Sequence, residues 1–132
     1  MPDREAVIAA IRANWGEDTC TPGQFSAAVP EKGQCDVSSF VAWRYLGGDL
    51  VLAKVFVDGV ESEHHYWNRI DGEDLDLTRS QFTGEEDIHE VAVHPSSMLA
   101  ERMPTMRPEL LERVMLLSDR VATDLGEPPS RP

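Results

Sequence analysis

Apolar residues recur along this chain at two different periods, and the changes of period divide it into helical and strand-like stretches. Over residues 3–15, Val7, Ile8, Ile11 and Trp15 fall at helical spacing behind Asp3, which can cap a helix, and Gly16 stands where that helix should end. Residues 17–33 carry Pro22, Gly23, Pro30 and Gly33 with no steady period, which predicts a long loop; loops of that length in compact domains tend to be functional. Helical spacing returns over 35–46, with Val37, Phe40, Val41 and Tyr45 on one face and Gly47-Gly48 as the stop. Three strands are then expected: 50–57 up to the turn Asp58-Gly59, 63–70 up to the turn Asp71-Gly72, and 74–82. Residues 83–87 form an acidic loop, and Val91 and Val93 alternate with smaller or polar neighbours over 88–93, a short fourth strand. The last helix covers 107–125, with Pro108 in its first turn, Leu110, Leu111, Val114, Leu117, Val121 and Leu125 in phase, and Gly126 closing it. The pattern predicts one α+β domain over 1–126, a helix-borne cysteine against a small antiparallel sheet with N- and C-terminal helices, and a Pro-rich tail over 127–132.

Length and composition narrow the function classes. A chain of 132 residues with 41% hydrophobic and 27% charged content suits a single globular domain with a real core. The densest apolar run, 50–57, is interrupted by Lys54 and is far short of the roughly 20 apolar residues a bilayer needs, and residues 1–5 do not open a leader of basic and then apolar residues. A cytoplasmic protein without membrane contact is the expectation. Twenty-four acidic against twelve basic side chains give a formal net charge of -12, which opposes phosphate backbones and makes nucleic acid a poor partner. No pattern in the chain specifies an oligomeric state.

Two cysteines, Cys20 and Cys35, are too few for a disulfide framework and are expected as free thiols in a reducing compartment. Cys35 opens the second helix, where the macrodipole and unpaired backbone N–H groups favour thiolate over thiol; Asp36 beside it opposes that effect if its carboxylate points at the sulfur. On this reading the thiol should react well below pH 8.5. Downstream come His64-His65-Tyr66-Trp67 and Asp74-Leu75-Asp76-Leu77-Thr78, so a thiol, an imidazole and a carboxylate arrive in the order Cys, His, Asp.

Strand parity selects among them. If Asp71-Gly72 is a two-residue hairpin loop, Ile70 pairs with Glu73, Trp67 with Asp76 and His65 with Thr78, so that His65, Trp67 and Asp76 share a face. Asp76 is then the diagonal neighbour of His65, whereas a one-residue slip would give it to His64, Tyr66 and Asn68. In the first register Cys35 attacks, His65 carries the proton and Asp76 orients the imidazole. Trp67 can wall the site, though a large aromatic is as readily a plain core residue. His64 reads as a surface strand residue, and Asp74 is the alternative orienting carboxylate, although an Asp beside a turn commonly serves turn backbone. The Cys35 N–H is the first oxyanion donor, with Gln34, Gln24 and the Asn68 amide as candidates for the second. A metal centre from Cys20, Cys35, His64, His65, His89 and His94 is disfavoured, because adjacent strand histidines face opposite ways and no Cys-x-x-Cys or His-x-x-x-His pair occurs. No cofactor is implied.

Gly33-Gln34-Cys35, Gly47-Gly48, His65-Tyr66-Trp67-Asn68 and Asp76-Leu77-Thr78-Arg79-Ser80-Gln81-Phe82 together resemble the YunG-like family of small bacterial proteins, over residues 33–82. A cysteine-led helix followed by His-x-Trp and Asp-x-Thr is also distantly similar to the transglutaminase-like core of the papain-like cysteine enzymes. That likeness implies Cys35 as nucleophile, His65 as base and Asp76 as orienting carboxylate; Leu77 departs from it, standing where that superfamily often has proline. The function expected is a thiol hydrolase or acyltransferase that takes a small-molecule or peptide amide, thioester or ester through an acyl-cysteine, hydrolysis being favoured over transfer. The alternative is a non-catalytic interaction domain that keeps the papain-like architecture.

Overall fold

A computed structural model describes residues 3–131; Met1 and Pro2 of the expected domain and Pro132 of the expected tail lie outside the described residues. Helix α1 spans Arg4–Ala13, with the Asp3 carboxylate accepting the Ala6 N–H at 2.7 Å as its cap. It stops short of Trp15, whose indole instead donates to the Ser38 hydroxyl at 2.7 Å. Helix α2 spans Cys35–Leu46 and ends at Gly47. Strands β1 (Asp49–Val57) and β2 (Val60–Ile70) form a hairpin across Asp58-Gly59, and β3 (Glu73–Leu75) follows Asp71-Gly72. Both turn pairs have positive φ at both residues, the geometry of the two-residue hairpin turn that matches strand twist. Strand β4 (Asp87–His94) returns antiparallel to the other side of β1, giving the order β3-β2-β1-β4.

One face of this sheet carries the helices. Val7 and Ile11 of α1, Val37, Val41 and Trp43 of α2, and Val114, Leu117 and Val121 of α4 (Pro108–Leu125) close a core with Leu50 and Leu77, with Tyr66 and Leu75 packed against it. The opposite face holds a smaller cluster of Val51, Ala53 and Trp67 with Ile88. The residues after α4 lie back on α2: Tyr45 donates to the Glu127 carbonyl at 3.0 Å and the Arg131 N–H to the Arg44 carbonyl at 3.1 Å.

Two further elements differ from the sequence expectation. The third strand was expected over 74–82, yet pairing ends at Asn68 opposite Leu75. The Asp76 carboxylate accepts the Thr78 N–H at 3.2 Å, Leu77 turns into the helical core, and Arg79–Gln81 forms a 3-10 turn. An Asp two residues before a free N–H offers the backbone a local bond that competes with the ladder. Helix α3, Ser96–Arg102, has no counterpart in the expected elements; its seven residues bury only Leu99, too little for a period to show. No helix among the described residues is long and apolar enough to cross a membrane.

Candidate active site

Cys35 is delivered by the loop between α1 and α2. Gly33 has φ +77°, and a Cβ there would lie 2.6 Å from the Cys20 sulfur, so the chain passes Cys20 at a distance only glycine permits. Gln34 is fully buried; its carbonyl oxygen accepts from the Thr19 hydroxyl at 2.8 Å and its amide donates to the Gly16 carbonyl at 3.0 Å. Those bonds brace the loop onto the start of α2 and engage both the carbonyl and the amide of the Gln34 side chain. The first intrahelical bond of α2 runs from the Ser38 N–H to the Gln34 carbonyl, so the Cys35 N–H precedes the helical ladder, and the Asp36 carboxylate accepts the Val37 N–H at 2.7 Å.

Strand β2 supplies the imidazole. Ile70 faces Glu73 across the two-residue turn, so the N–H groups of Ile70, Asn68 and Tyr66 all aim to the β3 side. Pairing has ended before Tyr66, whose N–H, without a β3 partner, favours the ionised form of the Cys35 sulfur. Alternation puts Tyr66 and Asn68 on the α2 face and His65 and Trp67 on the other. Sulfur and imidazole thus flank the unpaired edge of β2.

His65 has 0% exposure and is packed by Phe82 edge-on at 4.8 Å between ring centroids, with the Trp67 ring tilted beside it at 5.8 Å. Its Nε2 lies 2.7 Å from the Asp76 carboxylate, and Arg79 Nε approaches the same Asp76 oxygen at 2.8 Å while its guanidinium stacks 5.1 Å over Trp67. Asp76 holds His65 even though it lies past the last paired residue, because the strand parity carries on through Leu75 and Leu77, which both pack toward the helices. With Nε2–H donated to Asp76, Nδ1 is the free acceptor, and the Gln81 amide stands 3.4 Å from it. Gln81 also donates to the Thr78 hydroxyl at 3.1 Å.

Cys35 opens into a cleft of about 160 Å³ that it shares with Gln24, Glu63, His64, Tyr66 and Gln81. His65 is not in its lining; Gln81 stands between the imidazole and the space in front of the sulfur. Exposed His64, by contrast, does line this cleft, with its Nε2 3.9 Å from Glu61. Asp74 is held by Arg69, at 2.6 Å to its Nε, and takes no part in orienting an imidazole. The Asn68 amide donates to the Ser39 carbonyl at 2.9 Å beneath α2, whereas Gln24 lines the cleft. Gln81, Arg79 and Phe82 were given no role in the sequence reading. A polar or aromatic residue three to six positions after the carboxylate is the only sign they leave, and the 3-10 turn that folds them back onto His65 has no spacing signature.

The electrostatics correct the expectation of an activated thiol. Protein atoms crowd the sulfur, and that burial pushes the Cys35 thiol up to about 12, with the Asp36 carboxylate adding to the rise and the Tyr66 N–H opposing it. Desolvation together with a carboxylate at the next residue outweighs the helix terminus. Cys35 therefore rests as a neutral thiol. Asp36 is itself raised by burial, against the Val37 N–H and the Arg113 guanidinium at 3.7 Å. Among the described residues no group of three or more His, Cys, Asp or Glu is placed to hold a metal ion.

No curated protein and no solved structure matches the chain. A family model described as YunG protein matches residues 3–126, wider than the resemblance carried by 33–82 and reaching from the cap of α1 to the glycine that closes α4, and the chain belongs to that family.

Proposed function

We propose that the chain is a thiol hydrolase or acyltransferase of transglutaminase-like, papain-like architecture, acting on an amide, thioester or ester through an acyl-cysteine at Cys35. The observation that carries this reading is a fully buried imidazole fixed at Nε2 by a carboxylate, with its Nδ1 directed at a residue of the cleft that holds the thiol. A histidine kept only for packing has no need of an Asp76 at 2.7 Å that is in turn clamped by an arginine. Because the thiol rests neutral, sulfur attack and proton removal belong to one step. Substrate entry moves the Gln81 amide off Nδ1, the thiol proton passes to Nδ1, and sulfur bonds to the carbonyl carbon. The displaced Gln81 amide and the Cys35 N–H then face the oxygen that becomes negative. Collapse breaks the bond to the leaving group, which takes the proton from Nδ1. Water then gives a proton to Nδ1 and its oxygen to the acyl carbon, and the proton returns to sulfur as the acid leaves.

The protonated thiol in a small cleft favours a second reading, a non-catalytic domain that keeps this architecture for binding. Incubation with 4-nitrophenyl acetate, followed by mass spectrometry of peptides, separates the two. The enzyme reading expects acetyl on Cys35, absent in Cys35→Ser and slowed about a hundredfold in His65→Ala and Gln81→Ala. Folded protein that never acquires the adduct leaves only the binding domain.

A further inference from the structure

The Cys35 cleft does not end at Tyr66. The same ring forms a wall of an adjoining trough of about 290 Å³, near the lower limit of roughly 300 Å³ for ligand pockets. Phe40, Met106 and Leu110 supply the apolar part of its lining, and Arg102 and Arg107 are its only charged members. A second connection runs through Asp36, which borders the Cys35 cleft and a neighbouring recess that reaches Arg107.

Those arginines are unusual for this molecule. The chain has twice as many acids as bases, and Arg4, Arg69, Arg79, Arg113 and Arg120 all have carboxylate partners. Arg102 and Arg107 are exposed, and among the described residues neither guanidinium has a salt bridge or a hydrogen bond. Arg107 feels Asp36 across the neighbouring recess, yet no carboxylate bridges either guanidinium and no acid lines the trough, so the two form a local anion site on an otherwise acidic surface. The overall charge of -12 repels a dianion about twice as strongly as a monoanion at the same distance, which favours a carboxylate over a phosphate monoester.

We propose that this trough is the specificity subsite beside Cys35 and takes a substrate whose apolar chain or ring bears a carboxylate, held by Arg102 and Arg107 while the apolar part lies against Phe40, Tyr66 and Met106. It rests on the enzyme reading above for the word substrate, but not for the binding itself. The full chain is titrated with 4-phenylbutyrate, its neutral analogue 4-phenylbutyramide, and phenyl phosphate, with binding followed by NMR. Phenylbutyrate is expected to bind about tenfold more tightly than the amide and to shift Tyr66 and Phe40. In the double variant Arg102→Gln/Arg107→Gln that preference should fall to about twofold or less, while retained amide binding shows that the trough is intact. Equal affinity of acid and amide, a preference that survives in the double variant, or tighter binding of phenyl phosphate would each overturn the proposal. Phenylbutyrate bound at the trough by a protein that never acylates Cys35 would sink the enzyme reading alone.

Discussion

Raising pH should reveal the half-buried thiol in two independent ways. Cys35 is pushed from an ordinary 9.0 to about 12 by burial and by Asp36, so near neutral pH its thiolate is about a thousandfold rarer than that of an open cysteine. Iodoacetamide at pH 7.5 should therefore label Cys35 in the folded protein about a thousandfold more slowly than in urea. Cys20, raised chiefly by burial as well, is separated from it by peptide mapping. Stability carries the same information with a definite sign. The folded thiol ionises later than the unfolded one, so its contribution is complete below pH 9 and is lost as pH rises from 9 toward 12. At pH 10 the loss amounts to about 1.4 kcal/mol. Urea denaturation of wild type and Cys35→Ala at pH 8 and pH 10 isolates this loss, because every other titrating group cancels in the difference. A gap between the two proteins that stays constant with pH, or rapid labelling of folded Cys35 at pH 7.5, would refute the account of the sulfur's surroundings.

Replacing Asp76 with Asn removes a carboxylate shared by His65 Nε2 and Arg79 Nε, and thermal or urea denaturation should show a loss of about 1–3 kcal/mol, with the ¹⁵N shifts of His65 reporting a changed tautomer; an unaltered ring spectrum would count against the Asp76 contact. Gly48→Ala should cost about 2 kcal/mol or more, since φ is +81° and the new Cβ would lie 2.6 Å from the Arg69 carbonyl oxygen, and a variant as stable as wild type would contradict that close approach.

Helices α1, α2 and α4 and the two hairpins were legible because each has a local cause. Cys35–Leu46 is bounded by glycines on both sides, and Asp58-Gly59 and Asp71-Gly72 set the strand register residue by residue, so Ile70 does face Glu73. The pairing of Asp76 with His65 rather than His64 follows from that register together with the parity kept through Leu75 and Leu77. What stayed hidden depends on contacts remote in the chain. The third strand was overextended because Leu75, Leu77 and their polar neighbours alternate as a strand should, while the bond from Asp76 to the Thr78 N–H that ends it is invisible to periodicity. Gln34 and Asn68 looked like free amides, and only the packed loop and helix reveal that Gly16, Thr19 and Ser39 claim them. The upward push on the Cys35 thiol was hidden for the same reason: a helix terminus can be read from sequence, but the crowding of a sulfur cannot.

The brevity of β3 leaves the edge of β2 open beside the Cys35 cleft. Had that strand continued to Phe82, Leu77 would have claimed the Tyr66 amide and a backbone would now fill the space in front of Cys35. The doorway is thus an omission in the hydrogen-bond ladder, not a hollow carved by small side chains. Shape-preserving changes along its walls should retune which molecules fit, whereas an added residue or two of strand would shut it outright, so on the enzyme reading proposed above a cousin of this protein could keep Cys35, His65 and Asp76 and still be inert.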